Sequence, residues 1–172
     1  MKKIRIIAAI MVAVLLMGCG TNLKDGVALL EEEKYEEAIA CFELEIEEGK
    51  HLLEAYRGIA IAQFELGNFE SAIEYFEMLL ADKEAVETAS VYMMKAASHL
   101  QLEQLEEALA AYQKALTLEL TDKMKQEVLF NEIAIYQTFG DWDTVKEKVA
   151  AYVESYPDDA RMDKTVEFLE TR

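Results

Sequence analysis

The stretch from Ala55 to Leu80, AYRGIAIAQFELGNFESAIEYFEMLL, leaves the chain few ways to fold. Tyr56, Ile59, Ala60 and Gln63 fall at helical spacing, and Ala72, Ile73, Phe76, Leu79 and Leu80 form a second helical stripe. Between them, Leu66-Gly67-Asn68 reads as a tight turn. Gly67 suits the left-handed residue that ends a helix, and Asn68 suits the cap of the next. A hairpin this short cannot bury its own apolar stripe and needs a neighbour of the same kind. The sequence supplies them. Ala38 precedes Ala72 by 34 residues, Ala108 follows it by 36, and Val145 follows after 37 more. Three residues before each of these stands an aromatic or leucine: Tyr35, Phe69, Leu105 and Trp142.

A helix-turn-helix unit with this period resembles the tetratricopeptide (TPR) repeat family. The resemblance implies an all-α fold, a right-handed α-solenoid of about four repeats at residues 21–50, 51–83, 84–120 and 121–157. Residues 19–157 would form the repeat domain, and 158–172 a C-terminal capping helix. The second repeat is the most regular. The first carries Asn22 and Asp25 where the family prefers large apolar residues. In the third, the turn Leu102-Glu103-Gln104 lacks glycine, and in the fourth the turn reads as one residue shorter. Asp158 and Asp159 are placed to cap the last helix, with Met162, Val166 and Leu169 along one side.

The chain begins differently. Lys2, Lys3 and Arg5 precede an apolar run of 12 residues, Ile6 to Met17. That run is shorter than the roughly 20 residues of a membrane-spanning helix and fits the apolar core of a secretion signal. It ends in Leu16-Met17-Gly18-Cys19, which resembles the bacterial lipobox. The resemblance implies that residues 1–18 are a lipoprotein signal peptide, removed before Cys19, whose thiol carries the lipid. Two or three acyl chains hold a protein on a membrane stably. The implied location is the extracytoplasmic face of a bacterial cell membrane. Cys41 is then expected as a lone thiol.

Charge narrows the partners. The signal holds three of the 17 basic residues and no acid, which leaves 14 basic against 34 acidic residues, a net of −20. Such acidity argues against nucleic acid and against lying flat on anionic lipid. No phosphate-binding glycine loop, nucleophile elbow or HExxH motif is present. His51 and His99 stand on different repeats without metal-ligand spacing. The chain therefore reads as a non-enzyme with no cofactor and no metal.

In the TPR family the first helix of each repeat lines a groove that takes peptide segments of a protein partner. Carried onto this chain, the groove residues are Leu23, Val27 and Leu30, then Arg57, Ile61 and Phe64, then Met93, Met94, Ala97 and Leu100, and finally Asn131 and Ile135. The set is apolar and rich in methionine, which suits an apolar or amphipathic segment. The implied function is a protein–protein interaction adaptor in envelope assembly or secretion. The alternative is a solute- or peptide-capturing lipoprotein serving a transporter. Against it, nothing in the chain alternates strand with helix.

Overall fold

The computed structural model describes residues 23–171. The expected signal peptide, residues 1–18, and Cys19 lie outside them. Among the described residues the chain is all-helical, with nine α-helices, one 3₁₀ turn and no strand. The helices are α1 (Leu23–Glu31), α2 (Tyr35–Glu47), α3 (Leu52–Glu65), α4 (Phe69–Ala81), α5 (Ala89–Gln101), α6 (Leu105–Leu116), α7 (Asp122–Phe139), α8 (Trp142–Ser155) and α9 (Asp163–Glu170). The 3₁₀ turn Ala160–Met162 precedes α9. The all-α expectation holds.

Consecutive helices pair as hairpins α1–α2, α3–α4, α5–α6 and α7–α8. Each second helix starts on the aromatic or leucine that marks the repeat: Tyr35, Phe69, Leu105 or Trp142. The four connecting turns share one hydrogen-bond pattern. In the second hairpin, Asn68 N donates to Gln63 O at 2.9 Å and Gly67 N to Phe64 O at 3.0 Å. The same pair of bonds recurs at Lys34 and Glu33, at Gln104 and Glu103, and at Asp141 and Gly140. This is the helix-ending motif closed by a left-handed residue. That residue is Glu33 (φ 59°), Gly67 (φ 77°), Glu103 (φ 58°) or Gly140 (φ 73°).

Two details differ from expectation. Asn68 does not cap α4 with its side chain. Its amide donates instead to Gln63 Oε1 at 2.8 Å, which clasps the two helices across the turn. His99 and Gln104 repeat that clasp in the third hairpin at 2.7 Å. The fourth turn is also not shortened: Gly140 lies five residues before Val145, as Gly67 does before Ala72.

The third turn offers a test. A non-glycine residue in the left-handed region costs roughly 1–2 kcal/mol, while glycine loses about 0.5–1 kcal/mol of extra chain entropy on folding. Glu103→Gly is therefore expected to raise stability by about 0.5 kcal/mol, read as a higher urea midpoint. A lower midpoint would mean that the Glu103 side chain contributes more than its backbone costs.

The chain divides into two compact units, one ending at Glu87 and the other beginning at Thr88. In the first, α2 packs on α1 and α3, α3 packs on α4, and α1 touches α3. Its core gathers Ala38, Phe42, Ala55 and Ile59, all 1 % exposed or less. The Phe42 ring fills a slot between two glycines on different helices. A Cβ at Gly26 would lie 2.7 Å from the ring, and one at Gly58 2.3 Å. Both are closer than side-chain atoms approach one another, so each glycine leaves room for the ring. Cys41, next along α2, is 2 % exposed and disulfide-bonded, not the lone thiol expected. Glu45, one turn further, is 5 % exposed, and its carboxylate meets His51 Nδ1 at 2.8 Å.

The second unit has two apolar clusters, and α7 serves both. Val128 and Ile135 join Ala96, Ala108, Tyr112 and Ala115 on α5 and α6. Ile133 joins Val145, Val149, Tyr152 and Met162. A helix buried on two sides has no single apolar stripe. Its Glu132 is 1 % exposed, and Lys148 Nζ on α8 donates to Glu132 Oε2 at 3.0 Å. The same ammonium lies 5.4 Å from the centre of the Tyr136 ring.

Burial, with Glu127 nearby, pushes the Tyr112 phenol up to about 12. The unfolded chain loses that proton near pH 10. The folded state then holds more protons than the unfolded one, so the associated stability is complete below pH 10 and is lost between about pH 10 and 12. The loss is expected to reach about 2–3 kcal/mol. Tyr112→Phe should flatten the alkaline stability profile by that amount. An unchanged profile would place the titrating group elsewhere.

The chain beyond α8 is fastened by polar contacts. Arg161 Nε donates to Asp159 Oδ1 at 2.9 Å, and its Nη1 donates to both Glu127 oxygens at 3.0 Å. Its guanidinium lies 4.2 Å from the Phe130 ring centre. Gln126 Nε2 and the Tyr152 hydroxyl donate to the other Asp159 oxygen. Arg161 and then Tyr152 hold the Asp159 carboxyl well below the usual carboxylate range. Asp159 also accepts from Arg161 N and so caps the 3₁₀ turn, not α9. Val166 and Leu169 of α9 lie against the Val149–Tyr152 cluster, and Phe168 meets Trp142 at 4.9 Å.

Candidate functional site

The shared turn gives a common ruler for the first helices of the hairpins. Counted back from the left-handed residue, Leu23, Val27, Leu30 and Glu31 on α1 occupy the same places as Arg57, Ile61, Phe64 and Glu65 on α3. Val27 is 44 % exposed. Leu23, Leu30, Ile61 and Phe64 are half-buried, and Arg57 is exposed. Phe64 also meets Phe69 edge-on at 5.6 Å, so it contributes to the hairpin as well as to the face.

The end of this face nearest the turns is acidic. Glu31, Glu33 and Glu65 are exposed. Tyr35 is close to two of them: burial first, then the Glu65 and Glu33 carboxylates, raise its phenol pKa. Sequence reasoning passed over these acids as ordinary solvated charges. The signal that finds them is the 34-residue offset between Glu31 and Glu65, the same as that between Val27 and Ile61.

In the second unit, Met93, Met94, Ala97 and Leu100 are half-buried on α5. Met93 and Leu100 pack on the Ala96–Tyr112 cluster. On α7 the turn ruler selects Phe130, Ala134 and Gln137 as the equivalents of Arg57, Ile61 and Phe64. Asn131 and Ile135 stand one residue further on. Asn131 is half-buried, and Ile135, 2 % exposed, belongs to the core. The expected positions slipped because Val145 and the turn before it read as a shortened repeat. Phe130 is covered by the Arg161 guanidinium, and Gln137 donates to Thr165 of α9 at 2.9 Å. At this hairpin the chain's own C-terminal segment occupies the face.

A cleft of about 400 Å³ opens between α8 and α9, lined by Val149, Val153, Val166 and Leu169 with Lys146 and Glu170 at its rim. Among the described residues no group of three or more His, Cys, Asp or Glu side chains is arranged to hold a metal. His51 and His99 are bonded to Glu45 and Gln104. Among the same residues no helix is long and apolar enough to cross a membrane.

The sequence matches the model of the tetratricopeptide repeat over residues 23–87 and 57–122. The chain belongs to the tetratricopeptide repeat family. Several solved structures share the fold. YrrB, described as a TPR protein with an unusual peptide-binding site, is 22 % identical with a TM-score of 0.69, over 81 % of this chain and 69 % of its own. MamA from Desulfovibrio magneticus RS-1 is 20 % identical with a TM-score of 0.64, over 80 % and 75 %. PilF of Pseudomonas aeruginosa is 18 % identical with a TM-score of 0.65, over 88 % and 69 %. No curated protein matches the chain. TPR proteins are in general interaction scaffolds for proteins and peptides, not enzymes, and nothing among the described residues points to catalysis.

Proposed function

We propose that this TPR chain is a lipid-anchored adaptor on the extracytoplasmic face of a bacterial membrane. It binds an apolar or amphipathic peptide segment of a protein partner on the first-helix face formed by α1 and α3, in the service of envelope assembly or secretion. The observation that carries the binding reading is the row of apolar side chains on α1 and α3, with Val27 left 44 % exposed. The peptide-binding site of YrrB, on a related fold, supports the same reading.

The anchoring reading rests on Lys2, Lys3, Arg5, the apolar run to Met17 and Gly18-Cys19. In the lipidated form the Cys19 sulfur is committed to a thioether and closed to disulfide chemistry. The intact mass of the mature protein, extracted from bacterial membranes, should show cleavage before Cys19 and added acyl chains. Cys19→Ser should release the protein from the membrane fraction. A mature mass with no lipid would end the anchoring reading. For the binding reading, partner capture by the anchored protein should fall with Val27→Asp and Ile61→Asp. Undiminished capture by both folded variants would move the site off this face.

A further inference from the structure

The α1/α3 face is polarised along its length, and the polarity names the chemistry of its occupant. Two rungs, Val27 with Ile61 and Leu30 with Phe64, supply apolar contact. Beyond them, toward the hairpin turns, come the Glu31 and Glu65 carboxylates, with Glu33 beside them in the first turn. None of the three forms an ion pair among the described residues, although Lys34 is close in sequence. Lys34 is instead paired with Glu32 at 2.6 Å. Tyr35 lies near Glu65 and Glu33 and presents a half-buried ring at the same end. Arg57 is the basic member of the matched rows and stands at the opposite end.

We propose that the α1/α3 face takes a cationic amphipathic peptide, with apolar side chains on the two rungs and a Lys or Arg at the Glu31/Glu33/Glu65 end. The inference rests on the reading of this face as a peptide site and adds the sign and position of the ligand's charge. An apolar ligand without that cation would leave the carboxylates at that end without a partner at the edge of a desolvated contact. A second copy of this chain is a poor occupant, because each copy carries a net charge of −17. An acidic peptide is excluded by the same charges. An aromatic ring with flanking carboxylates also favours an ammonium or guanidinium over a neutral donor.

The test uses the full-length protein and three fluorescent peptides with the same leucine pattern, ending in Lys-Lys, Gln-Gln or Glu-Glu. The Lys form is expected to bind about tenfold more tightly than the Gln form at low salt and to lose most of that advantage at high salt. Glu31→Gln with Glu65→Gln should remove the preference, bringing the Lys form's affinity down toward that of the Gln form. Equal affinity of the Lys and Gln forms, lost on Ile61→Asp, overturns the charge inference and leaves the peptide face standing. Binding of no peptide, or binding indifferent to Ile61→Asp, overturns both. Self-association that competes with the peptides identifies a second copy as occupant and overturns the proposal.

Discussion

Phe42→Ala is expected to cost the first unit about 3–5 kcal/mol, a large part of what a small domain has. The ring is 1 % exposed and is held between α1 and α3, so its loss empties a slot that rigid glycine backbones border on both sides. Neither wall has a side chain that can swing in to fill the space. Urea unfolding followed by circular dichroism reads the effect directly. The complementary change comes from the other side of the slot. Gly58→Ala improves helix propensity by about 1 kcal/mol, yet its methyl would sit 2.3 Å from a buried ring carbon. Overpacking of this kind costs roughly 1–3 kcal/mol, and the shortness of the contact favours the upper part of that range. Phe42→Leu combined with Gly58→Ala should cost less than the sum of the two single changes, because the smaller side chain makes room for the methyl. Strict additivity would mean that the two positions do not share the slot.

The second large effect lies in the other unit. Lys148→Met is expected to destabilise by about 3 kcal/mol, the low end for breaking a buried pair. Glu132 has 2 % of its side chain in water and would be left without its cation, while Lys148 keeps 29 % exposure, which limits the loss. Adding Glu132→Leu to Lys148→Met should recover most of the stability, since a well-packed apolar pair often equals or exceeds a buried ion pair. If Lys148→Met alone is neutral, water or another donor reaches Glu132 and the pair contributes little.

The repeat was legible in the sequence because its signals are local and redundant. Ala38, Ala72 and Ala108 mark a close helix crossing, the residue three before each marks a helix start, and the period joins them. The slot around Phe42 was not legible, because Gly26 and Gly58 lie on two helices whose meeting at one ring no spacing rule encodes. The left-handed residues Glu33 and Glu103 were not legible, since a left-handed glutamate has no distinctive sequence sign. At α7 the turn before Val145 read as one residue short, so Asn131 and Ile135 were assigned in place of Phe130, Ala134 and Gln137. The Arg161–Asp159–Tyr152 fastening was invisible because it joins residues on α7, α8 and the 3₁₀ turn through side-chain geometry alone. Of the candidate face, the apolar rows on α1 and α3 could be read and their acidic end could not. Thirty-four acids along the chain hide any three of them.

The common turn also decides where the chain tolerates added length. In every hairpin the left-handed residue lies five positions before the small residue of the second helix, as Glu33 does before Ala38 and Gly140 before Val145. The uneven spacing of 34, 36 and 37 residues therefore arises outside that stretch. The turn keeps a fixed register, and the added residues lie in the segment joining α4 to α5 and in α7 itself, 18 residues long against 14 for α3 and 13 for α5. The segment from Asp82 to Thr88, with Val86 72 % exposed, is the natural place to splice in a tag, a protease site or a fluorophore. One residue added inside a turn would instead rotate an entire second helix away from its partner.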